Sequence, residues 1–185
     1  DDLVSQGKIL YIGISDAPAW VTARANTMAE FRGWSRFIGN QLEYNLTERT
    51  PERDLLPMSK ELGLGVVAWS PLAAGILTGK YNKDDGKGSG GRMEGTTSYR
   101  LNERNYNIAA KVVEVAKSLE VSPAQVALAW ISQQGHIPII GARTLEQLKD
   151  NLGSLDVTIS AEQMKQLDEV SSIDLGFPHD FVTRP

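Results

Sequence analysis

The chain has 185 residues, 41% of them hydrophobic and 23% charged, the composition of a soluble globular protein and the length of one ordinary domain. Its net charge of -4, with basic residues that form no block or stripe, argues against a nucleic-acid partner. It contains no cysteine, which excludes disulfides, thiolate chemistry and cysteine-bound metals; no apolar run is long enough to span a membrane, and the first residues do not read as a signal peptide, so a cytoplasmic location is expected.

Asp1 to Gly7 reads as the tail of a helix that stops on its glycine. Lys8 to Ile14 is a β-branched and aromatic run, and Pro18 opens a helical segment with Val21, Ala25, Met28 and Ala29 on one face. Phe37 to Leu42 is a second strand. It is followed by a helix with Pro51 in its first turn, Leu55, Met58 and Leu62 inward, and Gly63 at its end. Gly65 to Trp69 is a third strand. The segment from Ser70 to about Glu103 is long, and Asn82 to Gly91 within it is too polar and glycine-rich for a core, so 82–103 is expected to be a mobile surface loop, either a lid or disorder.

Helices are predicted over 104–119, with Ile108, Val112, Val115 and Leu119 inward, and over 122–134, opened by a Ser122 to Gln125 capping box. A fourth strand, Ile137 to Ile140, runs through Gly141 and Arg143 into a helix whose Thr144 and Gln147 stand at capping-box spacing. Open backbone N–H groups at a helix start attract an anion, and Arg143 offers a planar, permanently charged fork suited to phosphate. The same residues also suffice to start a helix that binds nothing. Ser160 and Gln163 open a last helix, 160–170. Strands separated by helices predict a parallel sheet with right-handed crossovers, either doubly wound or part of a (β/α) barrel.

Four stretches together carry a family resemblance: Tyr11 to Asp16, Asn40 to Leu46, Trp69 to Tyr81, and Ile140 to Asn151. In order and spacing the chain resembles the C-terminal half of an aldo-keto reductase, nearest the branch of bacterial aldo-keto reductases and potassium-channel β subunits. The resemblance implies a (β/α)8 TIM barrel of which residues 1–185, as a single domain, supply strands five to eight, a C-terminal helix and a tail. It also implies NADP held in extended form, and an oxidoreductase that reduces an aldehyde or ketone by hydride transfer.

The family's catalytic Asp, Tyr, Lys and His lie on or after strands two to four, so the resemblance gives this truncated chain no catalytic residue. His136 precedes a strand, at the barrel face away from the chemistry, and His179 reads as a solvated tail residue. The resemblance does carry over a cofactor site. Ser15, Asp16 and Gln41 match residues that hold the nicotinamide carboxamide, and Trp69 matches the aromatic ring under the nicotinamide. Ser70, Pro71, Leu72, Gly75, Leu77 and Lys80 match the loop along the pyrophosphate. Gly141, Arg143, Gln147, Asp150 and Asn151 match the adenine end, with Arg143 on the 2′-phosphate; no metal site is implied.

Each of these has a plainer reading beside it. Trp69 can be a core aromatic, Gln147 can merely close its capping box, and Gly75 and Gly79 can be turn residues. Asp16 stands where the family commonly has asparagine; ionised, it accepts from the carboxamide but cannot donate to it. Gln41 and Glu43 share one strand face, and Arg92 and Arg100 are candidates to close over the pyrophosphate. A non-catalytic module that binds nucleotide or protein is the alternative function. In a half barrel Leu10, Ile12 and Ile14 on one edge and Ile137, Ile139 and Ile140 on the other lack a neighbour, so self-association is expected.

Overall fold

The computed structural model describes residues 1–81 and 100–182. After a one-turn helix, α1 (Asp2–Ser5), come β1 (Ile12–Ser15), α2 (Ala19–Arg32) and β2 (Phe37–Glu43). Next are α3 (Leu55–Glu61), β3 (Gly65–Trp69), α4 (Glu103–Leu119) and α5 (Pro123–Gln133). The chain ends with β4 (Ile137–Pro138), α6 (Leu145–Leu152), α7 (Ala161–Ser171) and a last turn, α8 (His179–Val182). The strands are parallel and lie in the order β1-β2-β3-β4, as expected for consecutive βα units of a barrel wall. Among the described residues no helix is long and apolar enough to cross a membrane.

The sheet has two unlike faces. On the helix-covered face Leu42, Tyr44, Val66 and Ala68 are buried against Ile108, Val112 and Val115 of α4 and Val126 and Trp130 of α5. The other face is bare. There the pairing aligns Gly13, Gly39 and Gly65 in one row, Ser15, Gln41, Val67 and Ile137 in the next, and Glu43 beside Trp69 above them. A row of three glycines leaves backbone as the surface, and a Cβ on Gly13 would stand 3.2 Å from the Gly39 carbonyl oxygen.

The expected elements are present with shifted bounds where tertiary context intervenes. β1 begins at Ile12, not Lys8, because Lys8 and Ile9 turn their N–H groups to the Leu3 carbonyl and not to a strand, and Leu10 and Tyr11 are 78% and 72% exposed. β4 ends at Pro138; only one further bond, Ile139 N–H to the Ala68 carbonyl at 2.8 Å, extends the pairing toward Ile140. Helix α2 buries Thr22, Asn26 and Ala29 and leaves Met28 exposed, a turn of its face away from the apolar stripe. The cause is Asn26, whose side-chain amide brackets Phe37, donating to its carbonyl at 3.1 Å and accepting from its N–H at 2.9 Å. Pro51 opens a separate 3₁₀ turn, Thr50–Glu52, ahead of α3. The expected lid falls mainly on 82–99, outside the described residues, and its last residue, Glu103, already belongs to α4.

One polar knot ties the helix layer together. Arg49 grips Glu52 with Nε and Nη2 at 2.6 and 3.1 Å and reaches Asp168 Oδ1 at 3.1 Å, while its guanidinium lies 5.4 Å from the centre of the Trp130 ring. The Tyr44 hydroxyl donates to Glu52 at 2.7 Å, and the Trp130 indole N–H donates to Asp168 at 3.1 Å. Burial, and then the Glu52 carboxylate, push the Tyr44 pKa far above its ordinary value. His136 packs edge-on against Tyr44, and burial pushes its pKa down. His136 is therefore part of this packed layer, as a structural residue.

Candidate functional site

The polar residues of interest gather where the parallel strands end, the edge at which α/β folds place ligands. β1 ends on Ser15, and the next residue, Asp16, takes a left-handed conformation (φ 49°) that aspartate tolerates better than most residues. Its backbone N–H still reaches the Gln41 carbonyl at 3.1 Å. Its carboxylate receives the Trp69 indole N–H on both oxygens, at 3.0 and 3.1 Å, and the Ser15 hydroxyl at 3.1 Å. Thus the first and third strands are bridged at their ends, and Trp69 is held by its indole edge. Gln41 lies between them, exposed, in register with Ser15.

Beside Trp69, Glu43 forms a two-pronged ion pair with Arg100, whose Nη2 donates at 3.0 Å; both side chains are less than 20% exposed. Of the two arginines weighed for this region, Arg100 is therefore fixed on a strand end, and Arg92 lies outside the described residues. The mouth near β1 and β2 opens into a cleft of about 730 Å³ lined by Asp16, Trp20, Glu43, Asp54 and Trp69 among others.

After β3 the chain turns sharply. Ser70, Ala73 and Ala74 all have positive φ, as do Gly75 (93°) and Gly79 (74°). Asn45, whose place here the sequence did not reveal, organises this turn. Its Nδ2 donates to the Ser70 carbonyl at 3.0 Å, while its Oδ1 accepts from the Thr47 N–H and hydroxyl and the Glu48 N–H. The Asn-x-Thr pattern was the available signal, since it is an Asx turn. Both glycines suit their positive φ, and at Gly79 a Cβ would also stand 2.5 Å from Val113 Cγ2. Pro71 and Leu77 are buried, Leu77 completely, so their side chains serve the core and only their backbone faces outward contacts. Ser70, Leu72 and Lys80 are half-exposed, and Lys80 Nζ sits 5.0 Å from the centre of the Tyr81 ring.

The third group follows β4. Gly141 to Gln147 is exposed throughout, and Thr144 caps α6 by accepting the Gln147 N–H at 3.2 Å. The capping box is not closed on Thr144: the Gln147 side chain instead accepts the Arg143 N–H at 2.8 Å, one residue earlier. Asn151 is buried and donates to the Gly141 carbonyl at 3.2 Å, which fixes the turn from inside. Asp150 takes the Ser122 hydroxyl at 2.9 Å, while the Asp150 carbonyl takes Gln125 Nε2 at 2.9 Å. The structure therefore brings Ser15, Asp16, Gln41 and Trp69 together, and presents Arg143 on a separate turn supported by Gln147 and Asn151. No cluster of His, Asp and Glu suited to a metal occurs among the described residues.

A parallel four-stranded sheet with helices on one face, a bare opposite face and polar groups at the strand ends is consistent with part of a (β/α) barrel. The chain belongs to the aldo/keto reductase family, whose model matches residues 1–172. It is 37% identical over 183 residues to the norsolorinic acid reductase stcV of Emericella nidulans, covering 97% of this chain and 45% of that protein. It is 35% identical over 184 residues to an aryl-alcohol dehydrogenase (NADP(+)) of Phanerodontia chrysosporium, covering 96% and 48%. To the uncharacterized oxidoreductase YrpG of Bacillus subtilis it is 36% identical over 170 residues, covering 90% and 50%. The chain thus spans about half the length of the relatives it matches.

Proposed function

We propose that this chain is the nucleotide-holding part, strands five to eight, of an NADP-dependent aldo-keto reductase that reduces an aldehyde or ketone by hydride transfer. The proton would come from a tyrosine on strands that this chain does not contain. The observation that carries the reading is the group at the strand ends: Ser15 and Gln41 side by side on the bare face, next to an indole fixed by Asp16. These residues suit a nicotinamide ring and its carboxamide. Ser15 and Gln41 offer donors and acceptors, and Trp69 offers a flat surface whose edge is held at Nε1. NADP supplies the hydride carrier; the chain's part is to bind it, orient its ring and cover one ring face.

At the other end, the Gly141 to Arg143 turn suits the adenosine phosphate. The exposed residues that open α6 follow directly on Arg143, whose guanidinium is of a kind suited to phosphate. Ser70 to Lys80 would follow the pyrophosphate, through backbone at Pro71 and Leu77. The reading is tested at Arg143. The chain is expected to bind NADP more tightly than NAD, and Arg143→Ala to erase that preference. The loss of a charge-assisted contact costs about 1.5–3 kcal/mol, or about tenfold or more in affinity. Calorimetric titration with both nucleotides measures it, and equal binding of the two by the unmutated chain would refute the role.

The same reading accounts for apolar groups at both sheet edges. Leu10 and Tyr11 at one edge and Ile137 at the other are exposed, and Leu145, Leu148, Leu152 and Leu155 line one exposed side of α6 and the turn after it. In an eight-stranded barrel the other four βα units cover these surfaces. In the chain by itself they would promote self-association.

A further inference from the structure

We infer that Asp16 makes the site discriminate between the two redox forms of the nicotinamide, in favour of the oxidised one. This rests on the nucleotide reading given above. Two carboxylates, Asp16 and Glu43, flank Trp69, and they are not equivalent. Glu43 is in register with Trp69 and gives both oxygens to Arg100, so its charge is matched on the spot. Asp16 has no ion pair among the described residues. Its carboxylate receives only neutral donors, the Ser15 hydroxyl and the Trp69 indole N–H. It is held there by backbone as well, through the left-handed turn at φ 49° and the bond from its N–H to the Gln41 carbonyl.

An unmatched negative charge is thereby fixed at the indole edge, next to Ser15 and Gln41, the other two residues matched to the carboxamide. The nicotinamide ring carries a positive charge when oxidised and none when reduced, while the rest of the nucleotide is the same in both forms. A carboxylate at the ring therefore attracts one form and not the other, and a ring seated over it excludes water and strengthens the attraction. Contacts elsewhere in the site, including those of Arg143, cancel in the comparison. An amide at this position would keep one acceptor for the indole N–H and lose the discrimination.

The test compares the dissociation constants of NADP+ and NADPH, measured by equilibrium dialysis, for the unmutated chain and Asp16→Asn. Asparagine keeps the size of the side chain, an acceptor for the Trp69 N–H and the tolerance of left-handed backbone. The substitution is expected to weaken NADP+ about three- to fivefold relative to NADPH. A second measurement needs no variant: in the unmutated chain the ratio of the two constants should move toward NADPH as salt is raised, because phosphate contributions divide out and the ring charge alone is screened. A ratio unchanged by both the substitution and salt would overturn the inference and leave the nucleotide site standing. Binding of neither form by the folded, unmutated chain would overturn the site itself, and the inference with it.

Discussion

Purified free of host reductases, the chain is expected to leave NADPH unconsumed in the presence of an activated aldehyde such as a nitrobenzaldehyde. Reduction of a carbonyl needs a proton for the developing alkoxide, and a positioned general acid is worth about 10²–10⁴ in rate. The described residues offer none at the strand ends. The indole of Trp69, the hydroxyl of Ser15 and the amide of Gln41 are too weakly acidic to serve, Asp16 is taken up with the indole, and Glu43 is committed to Arg100. The Tyr44 hydroxyl is buried, donates to Glu52, and holds its proton far above the ordinary tyrosine range. Absorbance at the NADPH band follows the reaction, and turnover that scales with the purified chain would show that the chain carries an acid of its own.

The second large effect is on stability. Arg49→Ala is expected to destabilise the fold by about 3 kcal/mol, the lower end of the cost of stranding a buried charge. It lies at the lower end because the Arg49 side chain is 12% exposed and Glu52 24%, while Asp168, at 40%, keeps much of its water. The loss has three sources: the paired contact with Glu52, the bonds to α7 through Asp168 and Ser171, and the cover over Trp130. For a chain of this size it corresponds to about 6–12 °C in melting temperature. Differential scanning calorimetry of the two proteins measures it. A shift below about 2 °C would mean that the knot merely decorates a core already fixed by its apolar groups.

Arg49 also shows where sequence reading stops. The bond from Arg49 to the Asp168 carbonyl joins residues 119 positions apart, and the Trp69 to Asp16 bond joins residues 53 apart; neither leaves a periodic or local trace. What is local was legible. The Ser122 and Ser160 capping boxes form as their spacing predicts, and β3 has the bounds its apolar run gives. Central β3 is paired on both sides, so composition and pairing agree there. Edge strands β1 and β4 are paired on one side only; β1 begins where β2 begins, at the Ile12–Phe37 pair, and β4 ends at Pro138 opposite Ala68, both short of their β-branched runs. Thr144 and Gln147 are instructive in the same way. The spacing foretold the cap correctly, but which N–H the glutamine would take, that of Arg143, depends on the turn after β4. The sequence likewise suggested that Asp16 faces a ligand and could not show that it first holds Trp69.

The central claim, that this chain carries the nucleotide-holding wall of the barrel, is tested most directly by hydrogen–deuterium exchange with and without saturating NADP. Slower exchange is predicted in three separate stretches: Ser15 to Asp16 with Gln41, Ser70 to Lys80, and Gly141 to Asn151. Amides of α7, on the far side of the core, should exchange as before. Protection confined to other segments, or exchange unchanged in all three while NADP is bound, would contradict the account.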